Sequence, residues 1–102
     1  MTNSITIKEM RKIVASPFFS EMTDENKVIS VNGVPTAKGY WNLILSIRDV
    51  NLYSKGIKPH RYWKIGDVKN YFGISGSAPI MANKLEELKD IIITGDVKQF
   101  NV

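Results

Sequence analysis

Residues 36–54, TAKGYWNLILSIRDVNLYS, decide the fold of this chain. Their polar side chains form only a narrow stripe: Lys38, Asn42, Ser46 and Asp49. Thr36 is a favourable N-cap residue, and Gly56 lies where a helix would end. A helix that is apolar around most of its circumference packs against neighbours on several sides. The stretch therefore predicts a long central helix over 36–54, with Trp41 and Leu45 largely buried.

The N-terminal region has local signals for a first helix. Thr6 with Glu9 three residues later forms a capping box, and Ile5 with Met10 has the spacing of a hydrophobic staple. The apolar residues that share one face are Ile7, Met10, Ile13 and Val14. Because proline disfavours a helix at the residue before it, Pro17 ends this helix, predicted at 7–15. Pro17 is also suited to begin a second short helix through Phe18, Phe19 and Met22.

A β-hairpin is predicted at 28–35. Two apolar runs flank Asn32-Gly33, a dipeptide that supplies the two positive φ angles of a tight primed turn. Pro35 cannot donate a ladder hydrogen bond, so the second strand is expected to be short or to lie at an edge.

The C-terminal half predicts a basic connector at 55–64, a helical hairpin at 65–93 and a tail at 95–102. Ile65 to Phe72 would form the first helix of this pair, with Val68 and Phe72 facing inward. Ser77 would cap the second helix, with Pro79 in its first turn. Its buried stripe would be Met81, Leu85, Leu88 and Ile92, and its solvated side Lys84, Glu86, Glu87 and Lys89. The predicted fold is a single, mostly α, α+β domain with a central long helix, a C-terminal helical hairpin and one short β-hairpin.

Composition narrows the class of protein. At 102 residues, 43% hydrophobic and 24% charged, the chain is typical of one globular domain. It contains no cysteine, which excludes disulfides, thiolate metal sites and a cysteine nucleophile. Its apolar runs are too short for a membrane span, and its first residues do not resemble a signal peptide. We therefore expect a cytoplasmic protein, in a cell or in the host cytoplasm of an infected cell, with no membrane partner.

Positive charge is concentrated between Lys55 and Lys69. The five basic residues of this stretch, against the single acid Asp67, are Lys55, Lys58, Arg61, Lys64 and Lys69. Outside it nine basic residues balance nine acidic ones, so the stretch accounts for the formal charge of +4. It also contains His60, Tyr62 and Trp63. Positive potential beside flat aromatic faces suits nucleic acid. The alternative is that the aromatic rings belong to the core and the lysines merely solvate a loop.

Specific contacts follow from this hypothesis. The five cations would contact phosphates, and His60 and Tyr62 would touch base or sugar. The turn Ser75-Gly76-Ser77, at the positive end of the last helix, would accept one phosphate through converging N–H groups and hydroxyls. An ordinary turn with a helix cap is the alternative there. The sequence does not distinguish DNA from RNA.

The helix–turn–helix pattern of residues 65–89 invites comparison with two DNA-binding arrangements. Phe72-Gly73-Ile74 fits the centre of a helix-turn-helix, but Lys69 and Pro79 depart from the residue types that this motif packs. Residues 64–89 also resemble the SAP-type module, through Val68-Lys69, Gly73-Ile74 and the run Gly76–Leu85. Here Ala78 replaces the basic residue usual after the glycine, and the loop is shorter. The resemblance covers about a quarter of the chain and implies DNA or RNA binding through phosphates.

A further resemblance concerns the run Gly56–Lys64 together with Asp67–Gly73. It is similar to small uncharacterised proteins of tailed phages that infect cyanobacteria. This resemblance bears on origin and implies no activity.

Catalysis is not expected. His60 is the only histidine, and no base stands at a spacing that would activate a hydroxyl nucleophile. One histidine without cysteine gives no metal site, and no cofactor motif is present. The second functional hypothesis is therefore a protein-interaction adaptor that docks an acidic partner or self-associates. Tyr62, Trp63 and Tyr71 would serve it as aromatic hot spots.

Overall fold

Helix α3 (Lys38–Ser54) is the element against which the second helix, the last helix and the second hairpin strand pack. The computed structural model describes residues 5–94, so the tail predicted at 95–102 lies outside the described residues. α3 begins two residues later than predicted. Thr36 belongs to a strand, and its hydroxyl donates to the carbonyl of Val34 at 3.1 Å. The cap assigned to Thr36 is wrong, because the hairpin ladder continues through Ala37, the N-cap residue.

One face of α3 is buried, and most of its other residues are half-buried. The buried residues of this helix are Gly39, Leu43, Ile47 and Val50. Trp41 and Leu45 lie toward the opposite side and are half-buried. Neither belongs to the buried core, because helices α5 and α2 pack mainly on the other face of α3.

Two helices precede the hairpin, as the capping signals predict. α1 spans Ile7–Val14 and begins where the Thr6 hydroxyl accepts the N–H of Glu9; α2 spans Pro17–Thr23. The face of α1 is rotated from the predicted one. Glu9, Met10 and Ile13 are buried, whereas Ile7 is 66% exposed. The prediction that Ile7 lies on the buried face was wrong. The buried face includes the acidic residue Glu9, which a pattern of apolar residues does not reveal.

The β-hairpin is confirmed and is longer than predicted. Strands β1 (Val28–Val31) and β2 (Val34–Ala37) pair antiparallel across Asn32 and Gly33, whose φ angles are +52° and +81°. The Lys38 N–H donates to the Lys27 carbonyl, so these two residues are a hydrogen-bonded pair. Hydrogen-bonded and non-hydrogen-bonded pairs alternate along an antiparallel ladder, so Ser30 and Pro35 form a non-hydrogen-bonded pair. The missing N–H of Pro35 therefore costs no ladder bond.

The region predicted as a helical hairpin forms two helices, α4 (Ile65–Phe72) and α5 (Ala78–Thr94), of which α4 packs mainly on α2 and α5 mainly on α3. Val68 and Phe72 face inward as predicted, and Gly73 ends α4 in the left-handed conformation at φ +72°. On α5 the residues Met81, Leu85 and Leu88 are buried and Ile92 is half-buried. Lys84, predicted on the solvated side, is buried instead. Its partner is Glu9 of α1.

The core joins all five helices. Its largest fully buried side chains are Phe18, Phe72, Ile13, Leu43, Met81, Leu85, Leu88 and Val50. The rings of Phe18 and Phe72 lie 4.9 Å apart between centroids and connect α2 to α4. At the α2–α3 crossing a Cβ added to Gly39 would lie 2.6 Å from Met22 N and Phe18 O, so the two backbones are in contact. The described residues thus form a small, mostly α, α+β domain, as predicted.

Candidate nucleic-acid interface

The connector, residues 55–64, begins with a defined helix end. Gly56 has φ +85°, and the N–H groups of Gly56 and Ile57 donate to the carbonyls of Tyr53 and Leu52. This is the Schellman arrangement, which glycine favours because the left-handed conformation costs it little. Lys55 is therefore held at the C-cap of α3, and Lys64 is the N-cap residue of α4.

Trp63 anchors the connector to the core. Its side chain is 8% exposed, and its ring centroid lies 5.0 Å from that of Tyr53, the residue two places before Lys55. The Trp63 N–H also donates to the His60 carbonyl at 3.2 Å. The ring contact joins the two ends of the connector, so the residues between them form a closed loop on the surface.

The cations of the candidate site are accessible. Lys55, Lys58, Arg61 and Lys64 are exposed, whereas Lys69, in the last turn of α4, is half-buried. None of the five forms an ion pair with a residue in the range 5–94. Because no carboxylate neutralises it, the charge of the connector is available to an anionic partner.

Tyr62 and Trp63 are neighbours in sequence but differ in exposure. Tyr62 is 73% exposed, and the guanidinium carbon of Arg61 lies 5.4 Å from the centre of its ring. That distance is within the range of a cation–π contact. The Tyr62 N–H donates to Nδ1 of the exposed His60 at 3.3 Å. The structure therefore places His60, Arg61 and Tyr62 together on the open side of the loop.

The phosphate-binding turn predicted at Ser75-Gly76-Ser77 is already bonded to the carboxylate of Glu9. The Ser75 N–H donates to Glu9 Oε2 at 3.1 Å, and Lys84 Nζ donates to the Ser75 carbonyl at 2.7 Å. Gly76 has φ +127° and Ser77 precedes α5. A phosphate at this turn would be repelled by Glu9. A phosphate contact by these three residues therefore stays a prediction, and the proposed function does not use it.

The exposed side of α5 carries two acidic residues beside the half-buried Lys89. Glu86 and Asp90 are exposed, and Lys84, which would have supplied positive charge there, is paired with Glu9. A helix that enters a DNA groove needs a basic or neutral face toward the phosphates. This charge distribution disfavours the groove-binding mode that a helix-turn-helix would use.

Of the three aromatic residues considered for an adaptor, Tyr62 alone is exposed. Tyr71 is half-buried, donates to Glu21 Oε1 at 2.6 Å and accepts from Asn42 Nδ2 at 2.9 Å. Burial raises the pKa of Tyr71 to about 12, and the hydrogen bond from Tyr71 holds the pKa of Glu21 below its ordinary value. Tyr71 therefore joins α2, α3 and α4, and Trp63 belongs to the core.

Sequence reasoning missed Tyr53 and Ile57. Tyr53 holds Trp63, and Ile57 places a 53% exposed aliphatic side chain beside the cations. The spacing of Leu52 and Ile57 around Gly56 is the signal that identifies this helix end.

Residues 5–94 contain neither a candidate metal site nor a candidate membrane span. No group of three His, Asp or Glu side chains there is arranged to hold a metal ion. In the same range, no helix combines the length and apolar character that crossing a membrane requires.

Comparison of the chain with protein-family models, curated proteins and solved structures finds no match.

Proposed function

We propose that this protein binds nucleic acid through phosphate contacts made by its connector and acts as an accessory or regulatory factor without enzymatic activity. The observation that carries the proposal is a closed loop with four exposed cations that form no ion pair within residues 5–94: Lys55, Lys58, Arg61 and Lys64. Lys69 would add a fifth contact from α4.

Anchoring by Trp63 supports this proposal. A loop closed by packed rings loses less conformational entropy on binding than a free segment would. The cations are then presented together to a polyanion whose own charges are regularly spaced. Phosphate contacts of this kind fix position without reading base sequence.

The salt dependence of binding tests the proposal. The triple variant Lys58→Ala/Arg61→Ala/Lys64→Ala should flatten the dependence of log K on log salt by about two to three units, because each phosphate contact contributes a little under one unit. Fluorescence anisotropy with a labelled oligonucleotide at several salt concentrations measures this slope.

The matched control is Lys8→Ala/Arg11→Ala/Lys12→Ala on α1. Like the connector variant, it removes two lysines and one arginine, but from exposed positions far from the connector in sequence. It should retain most of the slope. Equal losses in both variants would mean that net charge alone matters. An unchanged slope in the connector variant, or no binding by the parent at low salt, would overturn the proposal.

The second candidate function is a protein-interaction adaptor that docks an acidic partner or self-associates. Ile57 and Tyr62 favour it, since they add exposed apolar surface to the same cations. A complex that survives nuclease treatment, combined with failure of an oligonucleotide to compete, would favour the adaptor.

A further inference from the structure

Tyr62 combines a cation–π contact with high exposure. The guanidinium of Arg61 lies over the ring at 5.4 Å, yet 73% of the residue remains exposed. A single exposed aromatic residue needs no explanation by itself. This one, however, lies within a loop of exposed cations and is held by a cation–π contact.

The backbone beneath the ring is also fixed. The Tyr62 N–H donates to His60, and the next residue, Trp63, is anchored against Tyr53. The hydrogen bond and the cation–π contact restrain the ring, while most of the residue stays accessible to a flat partner. Such a ring loses little entropy when a flat partner stacks on it.

From this arrangement we infer that Tyr62 stacks with an unpaired base, so that the ligand of the connector is single-stranded nucleic acid. The inference rests on the proposed function. Bases in a duplex already stack on their neighbours, whereas a single strand offers free base faces to an aromatic side chain. Arg61 would then lie beside the stacked nucleotide, where it also reaches a phosphate.

The remaining charges agree with a single strand rather than a duplex. The connector is not a regular helix, and the exposed side of α5 carries Glu86 and Asp90. Neither therefore offers a basic helix to a major groove. Stacking provides affinity for bases without sequence specificity, as expected where phosphates supply the other contacts.

Strands that carry the same phosphates with and without bases test the inference. We would compare a single-stranded DNA oligonucleotide with an abasic strand of equal length and with the corresponding duplex. The parent should bind the base-containing strand about tenfold more tightly than the abasic strand, within the range known for one stacked base. Tyr62→Ala should abolish this preference, and Tyr62→Phe should retain it.

Ile57→Ala is the matched control, because it removes exposed apolar surface from the same loop without removing a ring. It should leave the preference unchanged. Tyr62→Ala should also leave the salt slope unchanged, since no charge is lost, and circular dichroism verifies that the variant is folded.

The outcomes separate the two proposals. Equal binding to base-containing and abasic strands, with a slope that still depends on the connector cations, would overturn stacking and leave phosphate binding standing. A Tyr62→Ala variant that loses affinity equally for all three ligands would also overturn stacking, because the ring would then act through the loop structure. No binding to any of the three ligands at low salt would overturn both.

Discussion

Lys84 of α5 and Glu9 of α1 form a buried ion pair, with 2.8 Å between Nζ and Oε1 and side chains that are each 10% exposed. The residues are 75 positions apart, and both also bond to Ser75 in the turn between α4 and α5. One pair of charges therefore joins the first helix, the turn and the last helix. The other two ion pairs found within residues 5–94 are more exposed.

Removal of one member of this pair should be costly. Lys84→Met should lower the free energy of unfolding by about 3–5 kcal/mol, because Glu9 would remain as an uncompensated buried charge. Chemical denaturation measures the loss. Lys89→Met is the control on the same helix, with an expected change of less than about 0.5 kcal/mol. A loss below about 1 kcal/mol for Lys84→Met would mean that water reaches the pair.

Gly39 should not tolerate a side chain. Gly39→Ala would place a Cβ 2.6 Å from backbone atoms of α2, which cannot move aside as a flexible side chain could. We expect destabilisation by about 1–3 kcal/mol, as for other overpacked positions. The control is Gly66→Ala on α4, where no atom lies within 4 Å and the change should be neutral or stabilising. Similar thermal unfolding of the two variants would contradict the α2–α3 contact.

Leu43 and Leu45 give a matched comparison on one helix. Leu43 is fully buried, whereas Leu45 lines an open groove of about 370 Å³ between α3 and α4. Leu43→Ala should cost about 2–5 kcal/mol, and Leu45→Ala less than about 2 kcal/mol, because water already reaches it. Equilibrium unfolding in urea provides both values. The reverse order would place the buried face of α3 on the other side.

Loss of the connector anchor should expose the loop to proteolysis. Trp63→Ala removes the ring contact with Tyr53 and should destabilise the protein by about 3–5 kcal/mol. Trypsin under native conditions should then cleave faster after Arg61 and Lys64. Trp63→Phe retains a ring and should remain closer to the parent. Cleavage that is equally fast in all three proteins would show that the ring contact does not restrain the loop.

Tyr71 should titrate later than an ordinary tyrosine. Its pKa is raised to about 12, so the folded protein favours the neutral phenol. The stability due to this preference is fully present below pH 10, the ordinary value, and is lost as the pH rises through 12. Ultraviolet absorbance of tyrosinate should show a late ionisation step that Tyr71→Phe lacks. The same late step in Tyr71→Phe would assign it to another tyrosine.

Local signals predicted the elements well because their chemistry is local. The hydroxyl of Thr6, the ring of Pro17 and the turn Asn32-Gly33 act on neighbouring residues, so the sequence contains what is needed. The cap predicted at Thr36 was wrong because the hydrogen bond from the Lys38 N–H to the Lys27 carbonyl extends the strand past this residue. The buried state of Lys84 depends on a partner in another helix, and spacing within α5 cannot show it.

Burial of aromatic residues was the least predictable feature. α3 is apolar on most sides, so its composition does not indicate which side faces the core, and Trp41 lies outside the core cluster. In the connector, nothing in the sequence distinguishes Tyr62 from Trp63; packing against Tyr53 does. The concentration of charge and the aromatic residues beside it were visible in the sequence, whereas the packing that buries Trp63 was not.

The position of Pro35 limits how this protein can polymerise. Its nitrogen lies on the side of β2 that faces away from β1, and it carries no hydrogen. Fibril growth by strand addition needs two competent edges on every copy, one for each neighbour. Addition along β1 would join two copies and bring their Pro35 residues to the two outer edges. Pro35 therefore weakens the edge that further growth through the hairpin would need.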